Sequence, residues 1–558
     1  MPRSLVMLWL GAFSFLSCAP SDQPTADQAI VLINAAIYTV NPEQPWAEAI
    51  AFEDGIILAV GDEREVLEAA GPDAFVVDLE GRMAMPGVQD PHLHVLEAGI
   101  NDDLCLLPSL ASLSRYERLI QQCAEQQPGD GWVRAAGVAT YALLEQRERP
   151  LDVLDRAVPD RPVLILDDLG HGAWANSRAF EAVGYTEASE DPPGGILHLD
   201  AATGRLSGIV LENAQQALRT ASLPPTPDNL DAAYDGLLDA LDILARNGIT
   251  SVSDAGGYWT RGNETVWQRA EDEGTLTVRA SNALYVFPDV PIQDQLDELA
   301  ARFSDEPDAL LRFNQAKLYV DGILDQGTSA LLSPYTRSFG YDQIPEDGFL
   351  YFPAALLNEY ARELDAAGFQ LHFHVTGDRG ARLALNAIEA AQLSNGTQDA
   401  RHRLTHLYLV DEQDRPRFAD LGVVADFQLA PSSIHPSYVT DIEGFIGRRS
   451  TQLLPAASLR DAGATLALSS DWDADVLSPF VKMEAVLSRP EEGIERLEDA
   501  IQLMTLNAAY LLHHDDSTGS LEPGKLADLI VLDRNLFGTP LRDIASTRVL
   551  LTLLGGEV

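Results

Sequence analysis

Apolar and polar positions alternate in short runs near both ends of the chain. AIVLINAAIYTV (residues 29–40), AEAIAFEDGIILAVG (47–61) and FVVDLEGRMAM (75–85) are rich in β-branched residues and broken at Asp54-Gly55 and Gly81-Arg82. That pattern predicts antiparallel strands rather than helices. GKLADLIVLDRN (524–535) and TRVLLTLLGGEV (547–558) repeat it at the far end. Residues 27–85 and 515–558 are therefore expected to form one small β-sandwich domain built from both termini.

Between them, over residues 86–514, apolar strand-like runs alternate with amphipathic helical ones, the signature of βα units around a parallel sheet. The candidate strands are PGVQDPHLHV, GITSVSDAG, LTVRASNALYV, RFNQAKLYVDG, FQLHFHVTG, HRLTHLY, GVVADFQ and ATLALSSDW. Eight such runs fit a (β/α)8 barrel of the TIM type, whose active groups sit at the carboxyl ends of the strands. A long insertion, residues 97–246, separates the first run from the second and carries helices of its own with a Pro-Pro-Gly-Gly turn at 192–195. No internal repeat or low-complexity tract interrupts the pattern.

With 558 residues, 46% hydrophobic and 22% charged, the chain can bury a large core, which excludes disordered, collagenous and polytopic membrane classes. Its 85 acidic residues outnumber 38 basic ones, for a formal net charge of −47. Such a surface repels phosphate backbones, so nucleic acid is not an expected partner. The acidity reads as solvation of the whole surface; attraction of a cationic substrate is the alternative, and the even spread of charge argues against it.

Residues 1–26 have the layout of an export signal and polar linker: Arg3, an apolar run from Leu5 to Leu16, then Ser17-Cys18-Ala19 and a polar tract. The run is too short to span a bilayer, and no other run is long enough. A Cys behind a small residue at this point resembles a bacterial lipobox, in which Cys18 would be lipidated and anchor the protein to a membrane. Phe15 departs from the usual aliphatic residue, which leaves ordinary cleavage and release to the periplasm as the alternative. In an exported chain Cys105 and Cys123 meet an oxidising compartment and either pair or remain small buried hydrophobes.

The chemistry gathers at strand ends. Asp90-Pro91-His92-Leu93-His94 closes the first run, and the period of two places His92 and His94 on one face. FHVTGD then presents His374, RLTHLY presents His406 and LALSSDW presents Asp471. A histidine in a strand is commonly a satisfied core residue. An ordered series of metal-binding residue types at successive barrel strand ends points instead to a divalent-metal site.

In this series, together with GHGAWANSRAF, AKLYVDG, HVTGDRGA, LSSDWDADVLSP and GSLEPGKLADLIVLDRN, the chain resembles the amidohydrolase superfamily. It is most similar to the amidohydrolase 3 branch, which includes N-substituted formamide deformylase-like enzymes. The resemblance implies a metal-dependent hydrolase in which His92 and His94 hold the more buried zinc and His374 and His406 the second. Asp471 would ligate metal and act as general base and acid. Lys317 stands where relatives carry a carboxylated lysine bridging two metals; the alternative is an ammonium paired with Asp321 or Asp378 beside a single metal. His171 is expected either to touch substrate or to hold its own turn, and Trp472 to shape the pocket with Asp473. His372 faces the same way as His374 and is either a supporting partner or core. Asp378 reads as a turn and helix cap.

The implied reaction is hydrolysis, by metal-activated water, of a non-peptide amide-type C–N bond in an N-acyl or N-formyl small molecule. The same site could cut a lactone, cyclic amide or carbamate. A non-catalytic ligand-binding lipoprotein is a further alternative, against which the intact ligand set argues. The superfamily is also compatible with a homodimer.

Overall fold

In the computed structural model, which describes residues 28–558 apart from Asp103, Glu145, Arg147, Asp342, Gln398 and Ala430, each of the eight predicted runs supplies one strand of a parallel sheet. In chain order these are β1 (Val88–Leu93), β2 (Ile249–Gly257), β3 (Arg279–Tyr285), β4 (Leu311–Tyr319), β5 (Gln370–Val375), β6 (Arg403–His406), β7 (Val424–Phe427) and β8 (Thr465–Leu468). Each strand pairs in parallel with the next in chain order. The seam between β8 and β1 is tied just past the strand ends: the Asp471 N–H donates to the His92 carbonyl at 2.8 Å, and the His94 N–H to the Trp472 carbonyl. A nearly closed (β/α)8 barrel results, its strands buried almost throughout.

The chain between β1 and β2 begins with helix Val95–Asn101 and ends with helix Pro227–Arg246. The two cross closely at paired glycines, where a Cβ on Gly99 would lie 2.2 Å from the Gly236 carbonyl oxygen. Between these helices a six-stranded sheet forms around Trp174, Ile165 and Ile209. A disulfide joins Cys105 to Cys123, linking the edge strand of that sheet to helix Leu113–Gln126.

Two smaller sheets contain the terminal segments. In one, Val549–Leu553 pairs with Leu529–Leu532, which pairs in turn with Met83–Pro86, itself paired with Ala36–Tyr38. The other holds Ile30–Ile33 between Ala49–Glu53 and Phe75–Asp78. Here the expectation of purely antiparallel strands fails. Ile30–Ile33 runs parallel to Phe75–Asp78, because helix Glu63–Ala70 makes the crossover that a parallel neighbour requires.

Among the described residues no helix is long and apolar enough to cross a membrane. The export segment and Cys18 lie outside the described residues.

Candidate active site

Side-chain alternation brings the predicted residues together at the carboxyl end of the barrel. β4 and β5 pair in register, Lys317 beside His372 and Tyr319 beside His374. Asp471 sits at the hub. Its Oδ1 lies 3.2 Å from His92 Nε2 and 3.4 Å from His94 Nε2, and its Oδ2 lies 3.8 Å from His406 Nδ1. Lys317 Nζ is 3.4 Å from both His92 Nδ1 and His372 Nε2, which are themselves 2.7 Å apart. His374 stacks on Tyr319 at 4.2 Å between ring centroids and stands 4.4 Å from the His406 ring.

The cluster is conspicuous for what it leaves unpaired. His374 Nε2 donates to the Gly322 carbonyl at 3.1 Å, which fixes the tautomer and leaves Nδ1 as a lone pair. That Nδ1, His94 Nδ1 and His92 Nε2 are buried without a hydrogen-bond partner. Buried polar atoms are ordinarily satisfied, since an unmet one costs about 1–3 kcal/mol. These open nitrogens, beside an Asp471 carboxylate ringed by His92 Nε2, His94 Nε2 and His406 Nδ1, fit a divalent ion. The tightest donor sets are His92 with His406 and Asp471, and His92 with His372 and Asp426.

Electrostatics favour the deprotonated ligands that a metal requires. Burial, with the Lys317 charge added, holds His92 well below the usual imidazole range. Burial does the same for His372 and His374 and pushes His406 down to about 3. His94 differs: burial lowers it, but its contacts with Asp471 and Glu97 outweigh that and raise it. Burial would raise the Asp471 carboxyl, yet the surrounding histidines hold it well below the usual carboxylate range. Lys317 falls to about 7 through burial, so its amine can exist neutral near physiological pH.

Strained backbone accompanies this geometry. Asp471 has φ 60° and His406 φ 74°, the left-handed region that residues with a side chain rarely enter. Glu212, on an insertion strand, has φ 55°.

The carboxylates expected to pair with Lys317 as an ammonium, Asp321 and Asp378, are engaged elsewhere. Asp321 accepts N–H groups from Ala330, Thr376 and Gly377 at 2.8–3.0 Å, and Asp378 accepts the Leu332 N–H at 2.8 Å in the first turn of helix Asp378–Asn395. Neither forms an ion pair with Lys317. His171 reaches the site from the insertion, its ring 5.0 Å from that of His374 and 5.8 Å from that of Tyr319. Trp472 is half-buried and packs at the edge of the barrel core. His372, left open between support and core, touches both His92 and Lys317.

Two acidic residues escaped the sequence reading. Asp426, inside the apolar VADF strand, lies within ligand range of His92 and His372, and its Oδ1 accepts from the Ser469 hydroxyl at 2.7 Å. A carboxylate in an otherwise buried run was the available signal, because burying one is costly unless it has a use or a partner. Glu212 binds His171 Nδ1 at 2.6 Å, and no local pattern connects those two positions.

The sequence profile of the amidohydrolase family matches residues 76–558. This chain belongs to the amidohydrolase family. The N-substituted formamide deformylase of Arthrobacter pascens is 28% identical over 552 residues, which cover 94% of this chain and 97% of the relative. The putative amidohydrolase YtcJ of Bacillus subtilis is 25% identical over 547 residues, again 94% and 97% of the two chains. Among solved structures, an uncharacterized metal-dependent hydrolase from Pyrococcus furiosus superposes with a TM-score of 0.69 at 25% identity, covering 91% of this chain and 99% of the other. This amidohydrolase is therefore a metal-dependent hydrolase acting on C–N bonds, and the cluster around Asp471 is where its donor atoms converge.

Proposed function

We propose that this amidohydrolase cleaves a non-peptide amide-type C–N bond in an N-acyl or N-formyl compound. His92, His94, His374, His406, Lys317 and Asp471 hold two zinc ions in this reading, with Lys317 carboxylated as the bridging ligand. The observation that carries it is the convergence of the buried His92, His94 and His406 ring nitrogens on the Asp471 carboxylate. The formamide deformylase relative, aligned over nearly its whole length, favours the N-formyl class.

Divalent ions in such a site supply Lewis acidity, acidifying water and polarising a carbonyl. The protein's own groups do the rest. Asp471, ionised by its histidine neighbours, takes the proton from attacking water and returns it to the departing nitrogen. Glu212 orients His171 through Nδ1, so that Nε2 can donate to substrate on the His374 side. A Lys317 amine that can be neutral and meets no carboxylate partner is suited to adding carbon dioxide. The Cys105–Cys123 bond supports export into an oxidising compartment, with Cys18 as the anchor point or the end of a cleaved signal.

The test is a panel of N-formyl amines, N-acyl amines, lactones and cyclic amides, with formate or amine release measured for the wild type and Asp471→Asn. Turnover of the open-chain amides, lost in the variant, supports the reading. Turnover confined to lactones or cyclic amides would replace it.

A further inference from the structure

Beside the metal cluster, behind Glu97, lies a cavity of about 390 Å3 whose inner wall carries three arginines from separate elements. Arg134 comes from insertion strand Val133–Val138, Arg219 from the last turn of helix Ala214–Ser222 and Arg261 from the turn after β2. Among the described residues Glu97 is the one carboxylate ion-paired with them, and Asp473 is near enough to attract Arg219. Glu97 Oε1 accepts from both Arg219 and Arg261, the latter at 3.1 Å. Arg134 has no carboxylate partner among the described residues; its Nη2 reaches only Asn101 Oδ1, at 3.4 Å. Arg261 is buried, and its Nε lacks any partner. The acidic groups on the outer wall, Asp102, Asp235 and Asp239, are exposed and pair with none of the three arginines.

Three guanidinium groups against one ion-paired carboxylate, with Asp473 nearby, leave excess positive charge in a partly closed space, within a chain whose net charge is −47. Concentrating it there is unfavourable: burial and the neighbouring Arg219 push both Arg134 and Arg261 down to about 10. Planar, multi-donor guanidinium groups are suited to oxyanions, which they bind bidentately. We propose that this cavity is a binding site for a carboxylate or phosphate group, held by Arg134, Arg219 and Arg261.

The site shares a wall with the metal cluster. Glu97 Oε2 lies 3.6 Å from His94 Nδ1, and Asn101 Nδ2 donates to Asp473, two residues past Asp471, at 3.0 Å. Its oxyanion is therefore either the tail of the substrate or a separate small metabolite acting through Glu97. The inference does not depend on which bond the enzyme cuts.

Isothermal titration calorimetry on the metal-loaded full chain tests it, with inorganic phosphate and succinate as probes. One equivalent of either should bind, at least tenfold more weakly in Arg134→Gln, with Arg134→Lys, which keeps the charge, intermediate. An unchanged melting temperature shows that each variant is folded, and Arg219→Gln replaces Arg134→Gln should the latter fail to fold. Failure of both probes to bind, or binding that the arginine substitutions do not alter, overturns the proposal. To separate the two sources, N-formyl-glycine and N-formyl-methylamine are titrated into Asp471→Asn. Arg134-dependent preference for the acid identifies the substrate tail; Arg134-dependent binding of the probes alone identifies a separate anion.

Discussion

Two buried polar clusters face each other across the barrel mouth, and they are finished to different degrees. The one brought by the insertion is closed. Glu212 Oε1 accepts from the Thr328 hydroxyl at 2.5 Å, and Oε2 meets His171 Nδ1 at 2.6 Å and the Tyr351 hydroxyl at 2.7 Å. Even the backbone makes room, since a Cβ on Gly322 would lie 2.0 Å from Glu212 Oε1. The cluster brought by the barrel strands is open: His92, His94 and His374 each keep a buried nitrogen with no hydrogen-bond partner. Equal burial with unequal satisfaction separates groups that position from groups that await a ligand.

That contrast can be broken most sharply at Asp471. Asp471→Asn should lower kcat by about 10²–10⁴-fold, the range expected for losing a general base, while circular dichroism and melting temperature stay near wild type. Near-full activity in this variant would mean that the open cluster does not carry the reaction.

The closed cluster belongs to a unit stapled by Cys105–Cys123. Cys105→Ser with Cys123→Ser should cost about 3 kcal/mol of stability, as expected for releasing a loop of this size, measured by denaturant unfolding. Unreduced, denatured wild type should show neither of these two residues in a free-thiol assay.

The smallest expected effect is at Glu212. Glu212→Gln leaves a buried network imperfectly matched and should cost about 1–3 kcal/mol by thermal denaturation without changing metal content. Loss of metal from this variant would show that the closed cluster is part of the metal site after all.

The barrel was legible because each of its strands is a short β-like run between turn residues, and a period of two fixes which side chains share a face. His92, His94, His406 and Asp471 could be read for the same reason, each at the end of such a run. Helix Glu63–Ala70 was hidden among β-like neighbours, and the parallel pairing of Ile30–Ile33 with Phe75–Asp78 rests on contacts that local pattern does not encode. Glu212 and the Arg134–Arg219–Arg261 group acquire meaning only through partners far away in sequence. His171 and Glu212, for instance, are 41 positions apart. Lys317 lay between: its strand was readable, but its lack of a carboxylate partner was not.

The central claim is that the open cluster holds divalent metal, and elemental analysis of the purified protein tests it directly, with His92→Ala alongside. The account predicts two equivalents of zinc per chain, falling in the variant. Metal-replete protein that binds none, or binds the same amount after His92 is removed, would contradict it.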